Sequence, residues 1–201
     1  MRLPYILLAT VLLPIAAQAQ FNLAPGSYQL ASGAKGTASL KLVLAEAGRP
    51  TMMVGVKNGQ ERTFRSTEIT SFSVEAHRFI TVKDFRFRSG DDAGFKDPVI
   101  LEAIEMGPVE LFYYYYLVEM GPNFMAHARL PVLRKRGTSA FFAYCPGKTP
   151  GFDQRLAPGT FVAVLFAGDP GLQRRFATNA ISRTELVGAV HAYNQGVRLT
   201  P

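Results

Sequence analysis

Only one residue of the 201 is cysteine, Cys145, and there is no tryptophan at all. A single thiol excludes any intramolecular disulfide, so the fold must hold through its apolar core, and the chain is long enough to bury one. No His or Lys stands beside Cys145 to lower its pKa, which reads as a small buried hydrophobe, with an intermolecular disulfide as the other reading. The lack of indole removes the broadest platform on which a sugar ring can stack. Histidine is scarce as well: His77, His127 and His191 are the only three, and their spacing makes no metal-ligand motif. Acidic residues number 15 against 22 Lys and Arg, a formal charge of +7 that favours anionic partners.

The motifs of common enzymes are missing too. No Gly-x-Ser-x-Gly elbow occurs, which leaves a serine hydrolase of that class without support. Gly147-Lys148-Thr149 copies the end of a phosphate-binding loop, but Phe142 stands where the motif needs its first glycine, and Pro150-Gly151 forbids the helix that must follow. Of the paired carboxylates, Glu102 and Glu105 stand three apart on an expected strand and so should face opposite ways, while Asp91 and Asp92 fall in a polar loop. No catalytic, cofactor-binding or metal-ligating residue is therefore assigned.

What is present begins with an address. Arg2, the apolar stretch Leu3 to Ala16 and the small residues of Ala17-Gln18-Ala19 predict a signal peptide over 1–19, cleaved before Gln20. The run is too short and too proline-broken, at Pro4 and Pro14, for the roughly 20 residues that span a bilayer, and no later segment reaches that length. The expectation is an exported chain, periplasmic, outer-membrane-associated or secreted, with no transmembrane segment. Export makes an envelope component the expected partner and excludes nucleic acid by location.

Residues 20–157 read as an antiparallel β domain. Ala38, Leu40, Leu42 and Leu44 alternate with polar positions, the period of a half-buried strand. Asn58-Gly59 predicts a tight hairpin joining Met52 to Val56 with Arg62 to Arg65. Strands are expected over Ile69 to Ala76 and Phe79 to Phe87, separated by His77-Arg78, with a bulge near Lys83-Asp84 to bring Phe85 and Phe87 inward. Glu105-Met106-Gly107-Pro108 recurs as Glu119-Met120-Gly121-Pro122, two strand ends that make Pro98 to Ile104, Val109 to Val118 and Phe124 to Val132 a meander. Ser139 to Tyr144 adds a strand. Residues 158–201 turn helical: Thr160 as a cap, Asp169-Pro170 as cap and first turn, and Ser182-x-x-Glu185 as a capping box with Gly196 as the stop. The fold class is α+β, a meander shaped as a sandwich or partly open barrel with short C-terminal helices packed on it.

Two clusters stand out as candidate binding residues. Phe112 to Tyr116 on a strand places Tyr113 and Tyr115 together as an aromatic face, and Arg129, Arg134, Lys135 and Arg136 form the densest positive run. The order of signal peptide, Glu68-Ile69-Thr70-Ser71-Phe72, the Gly107-to-Tyr116 aromatic strand and terminal Val190-His191-Ala192-Tyr193-Asn194 resembles a group of uncharacterised exported proteins of Gram-negative bacteria. That resemblance implies export and architecture and carries no assigned activity. The reading is a non-catalytic binding or structural role at the cell envelope, toward a lipid head group, a glycan or an acidic protein. Two alternatives remain open. One is a periplasmic hydrolase or metal enzyme whose site is assembled from distant residues such as His77, His127 and Asp153; the other is a peripheral binder of anionic lipid or glycan.

Overall fold

The computed structural model describes residues 22–44, 52–88, 93–94, 98–121, 124–146 and 159–197. The expected signal peptide, Asp91, Asp92, Lys148 and Asp153 lie outside these. The strands are β1 (Ala24–Leu30), β2 (Lys35–Val43), β3 (Met52–Lys57), β4 (Gln60–Phe64), β5 (Ile69–Val74), β6 (His77–Val82), β7 (Arg86–Arg88), β8 (Ala93–Gly94), β9 (Val99–Glu105), β10 (Val109–Gly121), β11 (Phe124–Lys135) and β12 (Phe141–Ala143). They form one sheet in the order β4-β3-β2-β1-β5-β6-β9-β10-β11-β12-β7-β8, not closed into a barrel. Three short helices follow, α1 (Thr160–Ala163), α2 (Pro170–Ala177) and α3 (Leu186–Asn194), with a 3₁₀ turn over Val164–Phe166. The α+β expectation therefore holds, as does the meander of β9, β10 and β11.

Turn chemistry explains the hairpins. Asn58 and Gly59 both take positive φ, 51° and 76°, closing β3 on β4 so that Lys57 opposes Gln60. The β5–β6 turn falls at Glu75-Ala76, with Glu75 at φ 52°, and not at His77-Arg78 as expected. His77 is thus the first residue of β6 and opposes Val74. The expected strand Phe79 to Phe87 is likewise two elements. The chain leaves β6 at Val82, turns through Asp84 at φ 51°, and re-enters the sheet as β7, parallel to β12. The turn does what the expected bulge was invoked for: it buries Phe85 fully, in one cluster with Ile80 and Val82.

Alternation sorts the side chains of this sheet onto two faces. On one, Leu40, Met53, Phe64, Phe72, Phe79, Ile100, Tyr113 and Tyr115 form a single buried cluster. On the other, Leu101, Phe112, Leu130, Val132 and Phe141 close around Phe85. The helices cover the end of the first face, where Val109, Leu111 and Tyr144 meet Phe166, Leu172, Phe176 and Val190. Phe166 and Phe176 stack at 4.4 Å between ring centroids, and Tyr144 Oη donates to the Ile181 carbonyl at 2.7 Å.

The helix ends follow their caps, with one correction. Asp169 accepts from the Leu172 amide at 2.9 Å and Pro170 opens α2. Ser182 and Glu185 form the reciprocal box in the turn that leads into α3, whose N-cap is Glu185: the Ser182 amide donates to Glu185 Oε2 at 2.9 Å and the Glu185 amide to Ser182 Oγ at 3.3 Å. Thr160, however, is the first helical residue and not a cap; Gly159 precedes it with no side-chain bond, because a Cβ there would collide with the Phe176 carbonyl. The Ser182 hydrogen bonds hold the Glu185 carboxyl below the ordinary glutamate range, with Arg175 adding to them. A depressed carboxyl contributes its stability above the unfolded pKa and loses it as pH falls through the folded one. The protection of the Ser182 amide against exchange, taken relative to the intrinsic rate at each pH on an acid titration followed by NMR, should therefore fall below the ordinary glutamate pKa, and a Glu185→Gln variant should flatten the profile.

Candidate functional site

The chemistry-bearing side chains gather where β6, β9, β10 and β11 lie side by side. In register, Phe79 opposes Glu102 and Glu102 opposes Tyr113, so His77 and Tyr115 lie on the two diagonals from Glu102 on the same face. The Glu102 carboxylate uses both: Oε1 is hydrogen bonded to His77 Nδ1, and Oε2 accepts from Tyr115 Oη. Glu102 is 5% exposed, whereas the His77 side chain is 44% exposed, so a buried carboxylate holds an imidazole that reaches solvent. Burial, reinforced by the Glu102 charge, pushes the Tyr115 phenol far above its ordinary pKa, which keeps it a neutral donor. Arg129 completes the row, its guanidinium carbon 4.6 Å from the Tyr113 ring centroid.

Glu105 departs from expectation. A register shift between Leu111 and Phe112 sets Glu105 opposite Leu111, turning it to the face that Glu102 occupies. Each carboxylate then takes its own histidine, Glu102 from β6 and Glu105 from α3, where His191 Nδ1 lies 3.2 Å from Glu105 Oε1. Of the residues named for an assembled enzyme site, His77 enters this network and His127 stands exposed on β11 opposite Leu117.

The two candidate clusters of the sequence are redistributed. Tyr113 and Tyr115 do share a face, but at 7% and 9% exposure they are enclosed instead of forming an open platform. The basic run is divided by strand alternation. Arg129 lies with Tyr113, whereas Arg134 sits on the opposite face, its Nε 2.5 Å from buried Glu110 and its guanidinium 4.9 Å from the Phe141 ring. Arg136 shares that carboxylate at 3.6 Å, and Lys135 is exposed. Arg134 is thus held by a structural ion pair.

An open groove of about 720 Å³ along β2, β1, β5 and β6 was not anticipated. Ser27 opposes Thr37 on β2 and Ser73 on β5, and Ser73 opposes Arg78 on β6, so these four project from one side of the sheet. Ser27 and Ser73 share a 3.0 Å hydroxyl contact. Gln29 and Ser71 extend the row, Lys35 and Lys57 stand at the groove with His77, and Glu75 is the one carboxylate among the described residues of its lining. The surface combines hydroxyls with an excess of fixed positive charge. A second recess of about 460 Å³ lies against β2, β3 and β4, and Tyr28 and Lys57 line both.

Among the described residues no three His, Cys, Asp or Glu converge to hold a metal ion, and no helix is long and apolar enough to cross a membrane. Comparison with family models, curated proteins and solved structures finds no match.

Proposed function

We propose that this is an exported protein of the cell envelope that binds, without chemical change, an anionic component rich in hydroxyl groups. The observation that carries the reading is the groove across β2, β1, β5 and β6. There Lys35, Lys57 and Arg78 outnumber Glu75, and Ser27, Thr37, Ser71 and Ser73 supply paired donors and acceptors. Residues 1–19 support the export half of the proposal. The overall positive charge adds a long-range attraction that steers an anionic partner inward and fades with salt.

The test separates groove from background charge. Lys35→Ala with Arg78→Ala should weaken binding to an acidic polysaccharide or to anionic vesicles by about tenfold or more at low salt. Lys135→Ala, an exposed charge elsewhere, should change it little. Equal losses from both variants would reduce the groove to nonspecific attraction, and intact-mass analysis finding Met1 retained in cells would remove the envelope setting.

A second reading, acid–base hydrolysis, has one observation in its favour: His77 is oriented through Nδ1 by buried Glu102, the arrangement that aims an imidazole base. Turnover of a glycoside or phosphoester panel abolished by His77→Gln would establish it over simple binding.

A further inference from the structure

We infer that the ligand is an acidic polysaccharide, and that the recess against β2, β3 and β4 is the subsite that takes one of its sugar rings. The inference rests on the binding function proposed above and adds the chemical class. It starts from the ring of Tyr28, with Phe64 buried behind it. Tyr28 is half-buried and lies over Gly36, where a Cβ would stand 2.5 Å from the phenol Cζ; only glycine lets the ring settle there. Its other neighbour is Phe64, 5.2 Å away between centroids and tilted by 42°. Arg62 crosses the Phe64 ring at 4.5 Å.

The floor beside this ring is low. Ala38 occupies the position that further along the same face is filled by Leu40 and Leu42, and it lines the recess, while Leu40 and Phe64 close over Gly55, where a Cβ would stand 3.1 Å from Leu40 Cδ2. Its rim is polar: Asn58, Gln60, Glu61 and Arg62 line it together with Lys57. A pyranose ring has this two-sided character, an apolar C–H face that stacks on an aromatic and an edge of hydroxyls that needs amide and charged partners. The carboxylate or sulfate of an acidic sugar finds Lys57 and Arg62, while the amides of Asn58 and Gln60 offer donors and acceptors for hydroxyls. A phosphate head group calls for the cations alone and leaves the Tyr28 ring without a purpose. Tyr28 and Lys57 also line the larger groove, so the two recesses are neighbours that share these two residues.

The experiment measures binding of the purified protein to polygalacturonate by calorimetry and to anionic phospholipid vesicles by cosedimentation. Three recess variants are compared with wild type: Tyr28→Leu, Arg62→Gln and Ala38→Leu, the last filling the floor. Thermal unfolding of each identifies any variant that fails to fold, and exposed Arg62 carries the test if a buried substitution does. The expected result is saccharide binding that Arg62→Gln or Ala38→Leu weakens by about tenfold with vesicle binding weak throughout. Saccharide binding indifferent to all folded recess variants overturns the subsite. Vesicle binding that depends on Lys35 and Arg78 while polygalacturonate fails to bind overturns the saccharide assignment and leaves the anion-binding function standing. Binding to neither overturns both.

Discussion

Replacing Glu102 by leucine should destabilise the protein by about 3 kcal/mol, because removing one member of a buried charged network leaves its partners without the group they were desolvated for. Glu102 is buried on four-strand interior ground, and both its oxygens are engaged, one by His77 and one by Tyr115. Urea denaturation gives the number, with an unchanged slope showing that the same surface unfolds. Tyr115→Phe alone should cost about 1 kcal/mol, and the double variant should fall short of the sum of the two by about 1 kcal/mol, since the phenol no longer needs the carboxylate that the leucine has removed. Full additivity would mean that the Glu102–Tyr115 contact carries no coupling. A Glu102→Leu protein as stable as wild type would show that this carboxylate is held at no structural gain, which shifts its meaning toward the hydrolytic reading of His77.

That centre was only half legible in the sequence, for a specific reason. Val99-Ile100-Leu101-Glu102-Ala103-Ile104 shows a charge inside a run apolar on both sides, and a strand buried on both faces has nowhere to send it but into the core. The run therefore held a signal that Glu102 is buried, yet nothing local could name His77 or Tyr115 as its partners, since diagonal contacts depend on register between strands far apart in the chain. The same limit hid the parallel pairing of Phe141 and Phe142 with Phe87 and Arg88. Glu105 was misdirected by a single inserted residue in the ladder, which reverses the parity on which the reading of faces depends.

Local chemistry was legible where one or two neighbouring residues decide the backbone. Asn58-Gly59, Asp169-Pro170 and the Ser182–Glu185 box all act within a turn, and each is found where its residue types placed it. The groove left a fainter trace: Ser27 and Gln29, Thr37 and Ser39, and Ser71 and Ser73 alternate with apolar residues on three strands. One such strand is an ordinary solvated face. Three become a surface only when β2, β1 and β5 lie adjacent, which is a property of topology.

The last prediction concerns the join between helices and sheet. Asn194, the final residue of α3, turns its side-chain amide onto the backbone of Val109: Oδ1 accepts from the Val109 amide at 3.0 Å and Nδ2 donates to its carbonyl at 2.8 Å. Val109 is 1% exposed, so without Asn194 two desolvated main-chain groups lose their partner, and Asn194→Ala should cost about 2–3 kcal/mol. The clamp also explains Gly107, which sits so near the Asn194 amide that any Cβ would overlap it. Gly107→Ala should therefore destabilise by displacing Asn194, and in an Asn194→Ala background most of that cost should vanish, because the clash has already been removed. Chemical denaturation of the four proteins in this cycle measures the coupling. If Gly107→Ala remains equally costly with or without Asn194, the glycine serves the backbone of the β9–β10 turn instead, and the helices are held by their apolar contacts with Val109, Leu111 and Tyr144 alone.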